Sequence, residues 1–260
     1  MDIIASLPGD LVTLLVETLG ETSKISIIIL AYVSKFYYRI SRTYATENKI
    51  NVQLHCDEII DEGSLEILKW AKSIGCPMDH YICRKAAKYG HLEILKWARL
   101  NGYFWDDVTC TYAAQNGDLE MLMWARENGC EWSHYVCSWA AQFGHLEVLK
   151  WARSNGCEWN QHVCSWAASG GHLDVLKWAK INGCQWDKFV CYYAAMNGHL
   201  DVLKWARENG CDWSTHTSAT AALNGQVKIL EWALSNGCPV DSDTEKIVKE
   251  LWPEIWPLKN

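Results

Sequence analysis

The chain has no excess of positive charge. Its 260 residues hold 24 Lys and Arg against 31 Asp and Glu, a net charge of −7. An extended nucleic-acid-binding surface is therefore not expected, although a local basic patch is still allowed. Long apolar runs are missing too. The longest, ISIIILAYV from Ile25 to Val33, is about half the length a membrane-spanning helix needs. The opening MDIIASLPGD carries acid rather than base, so no secretory signal is expected. No GxxxxGK[ST] phosphate loop and no GxSxG nucleophile turn occurs. CxxC and Cys/His finger spacings are absent as well, which argues against zinc. Nothing reads as catalytic, so neither an enzyme nor a cofactor is expected.

What is present is unusual. The chain is 49% hydrophobic and 21% charged, the balance of a globular protein. It has 16 Trp and 12 Cys. Cys56, Cys83, Cys110, Cys137, Cys164 and Cys191 recur every 27 residues. Cys130, Cys157, Cys184, Cys211 and Cys238 form a second series, with Cys76 in phase and Tyr103 in the gap. Trp70, Trp97, Trp124, Trp151, Trp178, Trp205 and Trp232 keep the same step, as do Trp105, Trp132, Trp159, Trp186 and Trp213. A fixed period of this size marks a stacked repeat architecture. The LxxLxLxxN pattern of leucine-rich repeats is absent. One residue type at one repeat slot fits small buried positions, so reduced structural thiols in an intracellular protein are expected.

The repeat Ser133 to Trp159, SHYVCSWAAQFGHLEVLKWARSNGCEW, predicts two helices. The Ser133 slot elsewhere holds Asp79, Asp106, Asn160, Asp187, Ser214 and Asp241, all good helix N-caps. The first helix starts near His134, with Val136, Cys137, Ala140 and Ala141 on one apolar face. Gly144 ends it in the left-handed position. The second helix runs through LEVLKWARSN, and Asn155-Gly156 stops it. Glu147 and Lys150 form a solvated i, i+3 pair. Such a unit cannot bury its own apolar faces and must stack on its neighbours.

GHLEVLKWARSNGC resembles the second-helix segment of ankyrin repeats, through Gly144, His145, Leu146, Glu147, Val148 and Lys150. Ala140-Ala141 match that family's double Ala, and the likeness covers roughly Gln53 to Trp252. The family repeat has 33 residues, so six are missing, between Trp132 and Val136, where its β-hairpin finger would lie. The Cys/Trp-rich style resembles ankyrin-like proteins of giant DNA viruses. The resemblance implies an all-α solenoid of short helix–turn–helix repeats over residues 51–260, with reduced or absent fingers. Seven helix pairs are counted, and DSDTEKIVKELW supplies one more first helix as a terminal cap.

Residues 1–50 fall outside the period and read as a small N-terminal helical element. LPGDLVTLLVETLG and the later VSKFYY resemble an F-box, with Asp10 in place of the usual Glu. The alternative is an amphipathic cap on the solenoid end. An F-box would dock on the Skp-type linker subunit of a cullin–RING ubiquitin ligase through Leu7, Pro8, Leu11 and Leu15.

His91, His145, His172 and His199 share one repeat slot. Spread along a stack they cannot meet at one metal, and hydrogen bonding across repeat turns is the expected role. The first-helix slots facing away from the apolar side vary more, at Tyr135, Ser138, Trp139 and Gln142. In ankyrin stacks these helices line the inner face. The candidate partner-binding residues are Arg84, Lys85, Tyr112, Tyr135, Trp139, His162, Trp166, Phe189, Tyr192 and Tyr193, because exposed aromatics are favoured interface anchors. The competing reading is that these rings only pack between first helices. The expectation is a protein target on the concave face, in the cytoplasm or nucleus (of a host, if the source is viral). The roles weighed are ligase adaptor, scaffold or decoy, and a peptide or nucleic-acid groove, the last disfavoured by net acidity.

Overall fold

The computed structural model describes residues 56–61, 63–73, 77–160 and 162–255. The expected sites at Leu7, Pro8, Leu11 and Leu15 lie outside them. Among the described residues there are fifteen helices and no strand. They are α1 (Cys56–Asp61), α2 (Leu65–Ser73), α3 (Ile82–Lys88), α4 (Leu92–Leu100), α5 (Asp107–Gln115), α6 (Leu119–Glu127), α7 (Tyr135–Gln142) and α8 (Leu146–Ser154). The rest are α9 (His162–Gly170), α10 (Leu173–Ile181), α11 (Phe189–Asn197), α12 (Leu200–Glu208), α13 (Thr215–Leu223), α14 (Val227–Ser235) and α15 (Ser242–Leu251). Seven helix pairs and a final first helix are therefore present among the described residues, as the period predicts, in ankyrin-like repeats that carry no hairpin strand there. Two compact units are distinguished, one ending at Phe104 and the other beginning at Trp105.

Within each pair the local chemistry is simple. Second helices such as LEVLKWARS are rich in strong helix formers. They carry acid in the first turn (Glu147) and base in the last (Arg153), which complements the helix dipole. Val148, Leu149 and Ala152 are buried, while Leu146 and Trp151 are only half-buried. The chain stops with Asn155, whose side-chain amide donates to the carbonyl of Trp151 at 2.9 Å. First helices bury Val136, Cys137, Ala140 and Ala141 completely. Ser138, expected on the outer face, is instead buried, and its hydroxyl donates to the His134 carbonyl at 3.2 Å.

The expected caps take two forms. Asp241 accepts from the amide of Thr244 at 2.8 Å, three residues on, as an N-cap does. Asp79, Asn160 and Asp187 accept from amides two residues on, at Tyr81, His162 and Phe189. These form a turn ahead of the helix, which starts later than a direct cap would allow. Ser133 does neither, its hydroxyl being buried without a partner among the described residues.

In the second unit the first helices pack on one another in order: α5 on α7, α7 on α9, α9 on α11, α11 on α13 and α13 on α15. Second helices of neighbouring repeats stay further apart. The stack is thus tighter along its first-helix side. Gly170 makes the closest approach possible, since a Cβ there would collide with the carbonyl oxygen of Gln142 in α7.

Candidate functional site

The first helices of the second unit bring aromatic rings into a ladder. Trp139 on α7 stacks against Trp166 on α9, with centroids 6.4 Å apart and planes 14° from parallel. Trp166 stacks on Tyr193 of α11 at 6.3 Å and 12°. Repeat geometry builds it: the three residues share one slot, and adjacent first helices present that slot side by side. Phe143 adds a ring at one end, 5.6 Å from Trp139 and 10° from parallel. At the other end Phe189 lies 6.3 Å from both Tyr192 and Tyr193.

These rings are not sealed inside the protein. Tyr135 is 52% exposed, Phe189 46%, Phe143 42% and Trp166 40%. Trp139, Tyr192 and Tyr193 are half-buried and His162 is exposed. The rings pack on their neighbours and still present exposed edges. Tyr112 on α5 is half-buried. Phe143 was missed because its slot holds Asn116, Gly170 and Asn197 in other repeats, so no periodic signal pointed to it.

Arg84 and Lys85 belong to α3, in the first unit. The Arg84 guanidinium lies over the Tyr81 ring at 4.6 Å. Lys85 is ion-paired with Asp79 at 3.2 Å. That bond, after the amide of Tyr81, helps hold the Asp79 carboxyl below its ordinary range.

The other repeated residues have structural partners. His91, His145 and His199 each bond through Nε2 to a carbonyl thirty residues earlier, at Asp61, Gln115 and Ser169 (3.1, 2.9 and 3.1 Å). His172 occupies the same slot over Gly144, and burial pulls its pKa below the ordinary value, outweighing Asp174 and the Gln142 backbone, which raise it. Each ring lies on a glycine of the preceding repeat; at Gly171 a Cβ would stand 2.5 Å from His199 Nδ1. Asp118 occupies the same slot and caps its own helix, accepting from Met121 N at 2.9 Å.

The two Trp series meet edge to face. Trp132 and Trp151, Trp159 and Trp178, Trp186 and Trp205 are paired at 5.6–5.7 Å. A cation covers the loop ring in each case: Arg126 over Trp132, Arg153 over Trp159 and Lys180 over Trp186, at 4.2, 4.3 and 3.9 Å. These clasps occupy the short loops where a finger would otherwise emerge. Ten cysteines, from Cys83 to Cys238, are free thiols and buried. In several repeats two cysteines stand seven residues apart, as Cys130 and Cys137 do, but these sequence neighbours are not partners. Cys137 Sγ donates to the Cys157 carbonyl at 4.0 Å, the neighbouring Cys157 thiol and then burial push its pKa far up, and Cys157 Sγ donates to the Ser133 carbonyl at 3.5 Å. No group of three or more metal-ligating side chains is found among the described residues. No described helix is long and apolar enough to cross a membrane.

Residues 164–207, from Cys164 on α9 to Arg207 on α12, match the family model for ankyrin repeats (many copies). The chain has no match among the curated proteins. The matched stretch includes two rings of the ladder, Trp166 and Tyr193, and its repeat type is that of protein-binding modules.

Proposed function

We propose that the protein is a non-catalytic interaction module that holds another protein against the first-helix face of its second unit. The observation carrying this reading is the ladder Trp139–Trp166–Tyr193 with its exposed flanking rings. A contiguous aromatic surface left in water marks an interaction site, and Trp and Tyr are the residues on which interface energy concentrates. The test is capture of partners by the full chain and by a Trp139→Ala/Trp166→Ala variant of equal helicity. A partner held by the parent and lost by the variant supports the reading. Lower stability with unchanged capture leaves the rings a packing role alone.

A finer reading rests on residues 1–50. Leu7, Pro8, Asp10, Leu11 and Leu15, followed by Val33 to Tyr37, support an F-box-like element and hence a substrate-recruiting adaptor of a cullin–RING ligase. Ubiquitin transfer would be done by other subunits, and this chain would supply proximity. The alternative is a scaffold or decoy whose first 50 residues only cap the repeats. Calorimetry of the full chain with a purified Skp-type subunit separates them. Binding that a folded Leu7/Pro8/Leu11 triple-alanine variant loses establishes the adaptor, and no binding by the parent leaves the scaffold.

A further inference from the structure

The ladder face differs from the rest of the protein in charge. Helices α7, α9, α11 and α13 read YVCSWAAQ, HVCSWAASG, FVCYYAAMN and THTSATAAL. None contains Asp, Glu, Lys or Arg, in a chain that is 21% charged. Every second helix beside them carries both signs or a pair of charges, as in LDVLKWARE of α12. The nearest formal charges at the start of α11 are Asp187 and Lys188, of opposite sign. Charge complementarity therefore favours a segment without charges. A charged partner would lose water here and find no counter-ion, and a nucleic acid would find no cation for its phosphates.

The spacing selects the partner's conformation. Ladder rings repeat at 6.4 and 6.3 Å. An extended strand returns a side chain to the same face about every 6.6 Å. A helix laying one stripe on the ladder advances about 5.3 Å per contact and drifts out of register. A polyproline II segment returns only after about 9.3 Å.

We propose that the partner presents an uncharged, extended segment, running across α7, α9 and α11 with alternate side chains against successive rings. This rests on the protein-binding reading above. The test is selection of a random linear peptide library against the full chain, with isolated peptides then measured by calorimetry. Uncharged sequences with apolar residues at alternate positions are expected. Trp166→Ala should weaken them by at least about tenfold, and raised salt should change affinity less than about twofold, since screening acts on charge pairs. Tyr135→Lys and Tyr135→Glu place a charge at an exposed edge of the face without removing a ladder ring, and both should weaken binding. Opposite effects of the two, helical periodicity in the selected peptides, or no ladder-dependent peptide at all would overturn the proposal. Selected charged or helical peptides that still need Trp166 would leave the broader reading intact. Peptides indifferent to Trp139 and Trp166 would remove both.

Discussion

Trp252 donates its indole N–H to the carbonyl of Ala222 at 3.2 Å, the thirty-residue reach that histidines make in earlier repeats. Its ring also stands 3.9 Å from the Cβ position of Gly225. The cap helix α15 thus ends on a ring that takes the histidine's place over Gly225. One contact, a flat side chain on a glycine with a bond to the carbonyl before it, recurs along the second unit and at its end.

That contact predicts unequal glycines. Gly171 and Gly183 have φ of 77° and 83°, so alanine is strained at both, by about 1–2 kcal/mol. At Gly183 nothing else is within 4 Å, whereas at Gly171 the His199 ring must also move. Urea unfolding should show Gly171→Ala costing clearly more than Gly183→Ala. Adding His199→Ala should remove the excess, a coupling read from the double-mutant cycle.

Acid should loosen the repeats. Burial lowers the pKa of His172, with His145 and His199 adding to the same direction and Asp174 opposing it. The unfolded chain then binds a proton more readily than the folded one, so stability falls as pH drops from about 7 through the ordinary histidine range. Unfolding midpoints measured across that range should decline, and His172→Gln should flatten the decline.

The tryptophan clasps should be matters of stability. Trp159→Ala loses the ring of Trp178 and the cation of Arg153. Each kind of contact is worth about 0.5–1.5 kcal/mol, so a loss of about 1–3 kcal/mol is expected in thermal or urea melts. Affinity for any partner captured through Trp166 should not change.

Thiol chemistry should follow burial. Ten cysteines are buried thiols, and burial first of all pushes Cys238 up to about 11. Only Cys56 and Cys76 lie outside that group, so a thiol reagent at neutral pH should titrate at most two of twelve in the folded chain. The remainder should appear on unfolding. Rapid reaction of more than two would contradict the packing described above.

The repeat length, helix pairs, stop signals and histidine role were legible because each is local to one repeat or shared by all of them. Relations between repeats were not. The 27-residue period groups residues by slot, but it does not say that the Cys137 slot meets the Cys157 slot rather than Cys130, seven residues earlier in the chain. It also hid Phe143, whose ring joins the ladder once and not periodically. Ser138 read as surface because its slot varies in polarity, although its hydroxyl is satisfied by its own helix and needs no water. The two forms of cap were equally invisible, since Asp serves in both.

The glycine–imidazole contact has a consequence for how such a chain can change. It joins only one repeat to the next, and histidine, glutamine at Gln226 and tryptophan at Trp252 all fill its receiving place. A copied 27-residue block inserted between two others finds compatible edges on both sides. The gene can therefore lengthen or shorten the first-helix face by whole rungs, while the ring in each new rung is left to vary.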